Sequence, residues 1–233
     1  MNEDTNQLET TDVASLYSHP LAKAYLNKVY TWMAVSMLLT AVVAVYSTHN
    51  FSLMEWTMNH LLLISLGGLG IILIMCICSR MLTAGAMGAL LLAFSALEGL
   101  LFGPICQMYT QESLGLTFAC TAGTFGAMSL YGVCTKRDLS PWGRALFMIL
   151  IGMIICFVIN FFWGNGTFDL VLSAAGVIVF SLLTAYDTQK ILRHGLVATG
   201  EERAKGAVMG ALDLYLDFLN LFLYLLRFLG DRK

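Results

Sequence analysis

Asp213, Asp217, Asn220 and Tyr224 recur at spacings of four, three and four in a stretch whose intervening residues are Leu, Phe and Tyr. On an α-helix these positions share one face. Another acid, Asp187, stands in the preceding apolar stretch, three residues before Lys190. A carboxylate at the centre of a bilayer costs roughly 2.5–3.5 kcal/mol or more, so such residues line a pathway or pair with something. Two carboxylates in contact at low dielectric share a proton and titrate together, which makes a proton sensor. With the amide oxygen of Asn220 they are also hard oxygen ligands of the kind calcium prefers, so Asp187 with either Asp213 or Asp217 is a candidate for transient calcium contact. A static hydrogen-bonded cluster that only fixes helix register is the plainer alternative.

Depth narrows the pairing. Counting from Ala207 at 1.5 Å per residue, Asp217 lies about 15 Å and Asp213 about 9 Å into the bilayer. Asp187 lies roughly 5–10 Å from the same edge. Level favours Asp213 as the neighbour of Asp187; a lean between helices brings Asp217 within reach instead. Arg80 stands at the right level for an ion pair with Asp187. Glu98 lies about 22 Å from that side, where it could gate the outer half of a crevice or sit neutral, hydrogen-bonded to a neighbouring helix.

The elements that must position these groups are apolar throughout. Of 233 residues, 58% are hydrophobic and 12% charged, against about 25% charged in a soluble domain. A span needs about 20 apolar residues. Seven such stretches are expected: 29–47, 60–79, 83–106, 113–134, 143–163, 168–189 and 207–229. The chain therefore reads as an all-α membrane protein: a polar N-terminal tail (1–28), one seven-helix domain (29–229) and a short C-terminal tail (230–233). The N-terminal tail lacks a basic region and a small-residue cleavage site, so no removable signal is expected.

Ten basic residues, Lys23, Lys28, Arg80, Lys136, Arg137, Arg144, Lys190, Arg193, Arg203 and Lys205, fall on one side of this arrangement. Only Arg232 and Lys233 fall on the other, with Arg227 inside the last span. The positive-inside rule then puts the N-terminus in the cytoplasm and the C-terminus outside. A net charge of −2 gives no ground for nucleic-acid binding. The six cysteines lie in or beside apolar stretches without histidine partners, and read as buried structural thiols rather than a metal site or disulfide framework. No nucleophile, phosphate or metal motif points to an enzyme, and no permanently bound cofactor is expected. Small residues (Ala119, Gly123 and Ala127; Gly67, Gly68 and Gly70; Gly85 and Ala89) read as close helix packing.

Longer motifs carry a resemblance. Ala185-Tyr-Asp-Thr-Gln-Lys190 followed by Leu214-Tyr-Leu-Asp-Phe-Leu-Asn-Leu-Phe222 resembles the Bax inhibitor (transmembrane Bax inhibitor motif) family, with the flavour of its bacterial inner-membrane members. Glu98-Gly-Leu100, Gly103-Pro-Ile105, Phe125-Gly-Ala-Met-Ser-Leu-Tyr131 and Thr135-Lys-Arg-Asp-Leu-Ser140 support it, and it covers about 25–230. The resemblance implies seven helices with the seventh enclosed by the other six, and a pH-sensitive calcium leak. It implies that Asp187 and Asp217 are the paired aspartates of the sensor and Arg80 the latch on Asp187. Asp213 departs from the expected pattern, as a third carboxylate one turn from Asp217. Two other readings stand beside the calcium leak. One is a non-conducting regulator docking on a membrane protease or a cell-death or stress partner. The other is an intramembrane aspartyl protease, for which Tyr186-Asp187 fits but Gly210-Ala-Leu-Asp213 does not match the expected Gly-x-Gly-Asp. The expected surroundings are the lipid bilayer, protons and calcium.

Overall fold

A computed structural model describes residues 20–164 and 166–233. Eight helices follow one another: α1 (Pro20–His49), α2 (Phe51–Asn59), α3 (Leu61–Ile77), α4 (Ala84–Met108), α5 (Gln111–Cys134), α6 (Ser140–Trp163), α7 (Gly166–Val197) and α8 (Gly200–Leu229). Local chemistry sets their ends. The side chains of Asn50, Thr83 and Thr110 accept from backbone N–H groups three residues on, at 3.1–3.2 Å, and so cap α2, α4 and α5. Pro141 opens α6 at a position where no N–H is needed. Gly164 closes α6 at φ +65, the left-handed conformation that side chains rarely adopt.

Six of these helices, α1 and α4 to α8, are long and apolar enough to cross a membrane. The expected second span departs from a straight rod. It is α3, 17 residues long, joined at His60 to the short α2 with a bend of 76°. Counting the bent pair as one span gives seven. Residues 20–28, expected in the tail, already belong to α1, with Ala22, Tyr25 and Leu26 buried. The rest of the tail and Asn165 of the Asn-Gly-Thr acceptor lie outside the described residues.

The small-residue expectation for α5 is corrected. Ala119, Gly123 and Ala127 are exposed, and the packed face carries Thr117, Thr121, Phe125, Ser129 and Gly132 instead. An apolar bilayer gives helices no hydrophobic reason to turn larger side chains inward, so hydroxyls and the one glycine that matters decide the face. That glycine is Gly132: a Cβ there would lie 2.4 Å from the carbonyl oxygen of Ala185 on α7. Likewise Gly176 of α7 admits the Tyr224 ring of α8 to 2.5 Å of where its Cβ would stand.

α8 is the most buried span, with 67% of its apolar window inside the protein against 17–44% for the other five single-helix spans. It packs on α7, α1, α5 and α4. α6 packs chiefly on α7 and stands off from α8. The polar stripe of α8 meets α7 beside that opening.

Candidate functional site

The α7–α8 turn is shorter than the apolar limits suggest. Helix continues from 189 to Val197 and restarts at Gly200, so Lys190, Arg193, Arg203 and Lys205 all stand on helix rather than loop. A helix need not end where its apolar residues do, provided its ends find partners. Thr199 adopts the extended N-cap conformation, and Gly200 follows at φ +54.

This tight antiparallel pair sets the acids. Asp187 and Asp217 are 8% and 4% exposed, and the two acids stand side by side along one cavity between α6, α7 and α8. One oxygen of Asp217, Oδ2, is buried with no hydrogen-bond donor among the described residues. A carboxyl–carboxyl contact becomes a hydrogen bond only when one partner carries a proton. Asp217 is thus the buried acid beside Asp187.

Asp213 enters through a cation. The Lys190 ammonium donates to Asp213 Oδ2 at 2.9 Å and reaches Asp187 Oδ1 at 3.4 Å. The order is thus Asp217, Asp187, Lys190, Asp213. Lys190 is the residue the sequence reading missed; it follows Asp187 by three, one helical turn, a spacing that could have flagged it. Arg80, expected on Asp187, is exposed in the turn after α3 and makes no ion pair among the described residues. Lys190 reaches Asp187 from the same helix face, whereas Arg80 is carried on the α3–α4 connection, whose carbonyl at Arg80 lies 3.5 Å from Lys205 Nζ.

Two cavities meet at this cluster. One, of about 640 Å³, lies at the α7–α8 turn and is lined by Tyr25, Arg80, His194, Glu202 and Lys205. The other, of about 780 Å³, runs between α6, α7 and α8 past Tyr186, Asp187, Asp217, Asn220 and Tyr224. Among the described residues, Lys190 and Asp213 alone line both. Their ion pair stands at the partition.

The remaining expected residues are dispersed. Asn220 lines the second cavity, but its amide donates to Leu216 O at 2.8 Å on its own helix. Past Tyr224, which stacks on Phe180, Arg227 pairs with Asp169 at 3.3 Å. Glu98 lies apart from the aspartates on α4; its Oε1 is 3.8 Å from where a Cβ on Gly68 of α3 would stand. Among the described residues no group of three or more His, Cys, Asp or Glu is arranged to hold a metal ion.

A buried amide frames the site on the side of the α5–α6 connection. Gln189, 1% exposed, accepts from Leu139 N at 2.8 Å and donates to Arg137 O at 3.0 Å. Arg193, one turn on, donates to Asp138 and to Ser140, both at 2.7 Å. The α5–α6 connection is thereby tied to α7 beside Asp187. Burial works against the Asp138 charge, but its bonds from Ser140 and Arg193 outweigh that and hold its carboxyl below the usual range.

The motifs at this site agree with comparisons along the chain. The model of the family described as inhibitor of apoptosis-promoting Bax1 matches residues 22–233. The inner membrane protein YbhL of Escherichia coli K12 is 43% identical over 217 residues, 91% of this chain and 93% of that protein. An uncharacterised protein of Rickettsia prowazekii is 36% identical along the whole length of both, and one of Deinococcus radiodurans 35% identical over 90% of this chain and 91% of its own. On these matches the chain belongs to the Bax inhibitor family.

Proposed function

We propose that this protein is a pH-sensitive calcium leak of a bacterial inner membrane, with its N-terminus in the cytoplasm and α8 as the central helix among the other spans. The single observation that carries this reading is the buried pair of Asp187 and Asp217, next to an ion pair at the junction of two cavities. The inner-membrane placement is supported by the name of the Escherichia coli relative.

The steps are electrostatic. With Asp187 charged, Lys190 is held between Asp187 and Asp213 and the partition is closed. Acidification protonates the aspartate pair. Lys190, whose side chain is half exposed, then loses one of its two carboxylates, and the remaining pair with Asp213 is the weaker kind found near a surface. α7 and α8 part at the partition, and calcium passes along Asp213, Asp187, Asp217 and Asn220, using carboxylate and amide oxygens in transit. A differential interaction of about 1.4 kcal/mol shifts a two-state gate tenfold. The latch in this chain is Lys190, while Arg80 lends positive charge to the rim of the cavity at the α7–α8 turn.

Purified protein in calcium-loaded vesicles tests this. Wild type should release calcium faster as pH falls, and Asp217→Asn should remain folded with a flux that no longer responds to pH. Retained pH dependence in Asp217→Asn contradicts the sensor; a wild type that leaks no calcium at any pH favours the non-conducting regulator.

A further inference from the structure

Two cavities on the other side of α8 join in a single cleft. The inner one, about 330 Å³, is walled by Ala41 and Ala44 of α1, Gly115 and Phe118 of α5, and Phe218 and Phe222 of α8. The outer one, about 520 Å³, is walled by His49, Gln107, Gln111 and Lys233. Val45, Cys106 and Leu114 line both. The cleft is a wedge between α1 and α5. These helices meet where Tyr30 bonds Ser129, and the cleft opens toward the far end, roughly 20 Å further along each helix.

Two properties select the occupant. The inner part is apolar and lies along helices that cross the membrane, so water would leave Phe118, Phe218 and Phe222 hydrated at a cost; a hydrocarbon chain would not. The mouth carries an ammonium, an imidazole and two amides, and among the described residues none of its lining side chains is acidic. Lys233 is held there by backbone pairing: its N–H donates to Met108 O at 3.0 Å, and Thr110 N–H donates to Asp231 O at 3.1 Å. Nδ1 of the His49 ring bonds Val45 O at 2.8 Å, which fixes the ring at the mouth. We infer that this cleft is a phospholipid site: one acyl chain lies between α1 and α5 against α8, and the headgroup phosphate sits among Lys233, His49, Gln107 and Gln111.

The site does not depend on the calcium reading, and its test reads lipid rather than flux. The full chain is purified from phosphatidylglycerol-containing micelles and examined by native mass spectrometry for retained phospholipid. Wild type should keep one phosphatidylglycerol molecule. Gly115→Phe should lower its occupancy at least tenfold, since a side chain there enters open space within the cleft. Lys233→Gln, at an exposed position, should lower it several-fold without touching the helices. Val42→Phe, on the exposed face of α1, is the control and should retain the lipid as wild type does. Occupancy unchanged in both Gly115→Phe and Lys233→Gln, or lost equally in Val42→Phe, overturns the site. Should Gly115→Phe fail to fold, the Lys233→Gln result decides alone.

Discussion

Lys190 decides how the acids are read. Without it, Asp213 would be a third carboxylate raising the cost of its neighbours; with it, Asp213 becomes the far end of a clasp. Lys190→Met and Asp213→Asn should therefore act alike, since each breaks the same pair. Both are expected to raise calcium release at pH 8 several-fold over wild type and to flatten the remaining pH response, measured by the same vesicle assay. Release at pH 8 equal to wild type in both would show that the pair does not hold the partition. The acids themselves were legible in the sequence, because charged residues in apolar stretches stand out and helical spacing puts Asp213 and Asp217 on one face. Their pairing was not. Depth along each helix favours Asp213, and it carries no record of how α7 and α8 lean together. The cation beside Asp187 was not foreseen for a related reason: a lysine at the end of an apolar run reads as a topology marker, while its four-carbon stem lets the ammonium fold back onto a buried carboxylate.

At the scale of helices, contact glycines and polar clips set the geometry that the acids need. A methyl on Gly132 would collide with the Ala185 carbonyl, two residues from Asp187, whereas one on Gly123 meets nothing. Gly132→Ala should cost about 1–3 kcal/mol by overpacking, while Gly123→Ala should be neutral or slightly stabilising. Thermal unfolding in detergent measures both, and a Gly123→Ala loss as large as that of Gly132→Ala would contradict the packing described. The sequence alone pointed at Gly123 because its spacing with Ala119 and Ala127 looks like an interface; spacing identifies a smooth face, not what lies against it. The α5–α6 clip gives a pH statement of known sign. Asp138 is held below the usual carboxylate range, so its contribution is present above the unfolded value and is lost only as pH falls through the lower folded one. Mild acidification should open the gate with this clip intact, and Asp138→Asn should leave the pH interval of calcium release where it is. A shifted interval in Asp138→Asn would place part of the sensor in the connection.

For the whole molecule, six of the seven expected spans and their order followed from apolar length, because a bilayer admits few alternatives. The bend at His60 did not, since α2 is too short to announce itself and Asn50 caps a helix that composition alone merges with its surroundings. Orientation rests on the ten-to-two placement of basic residues. Alkaline phosphatase fused after Lys233 should be active, and fused at Ala198–Thr199 inactive; the reverse pattern would invert the protein and put the Lys190 partition on the outer face. All of this serves one idea, that Asp187 and Asp217 hold a proton between them and that its arrival opens the path. Infrared difference spectra across a pH titration can see that proton as a carboxylic-acid carbonyl stretch. The account predicts a band that grows on acidification over the same pH interval as calcium release and vanishes in Asp187→Asn and Asp217→Asn alike. A band unaffected by either substitution, or one that titrates outside the interval of the flux, would contradict it.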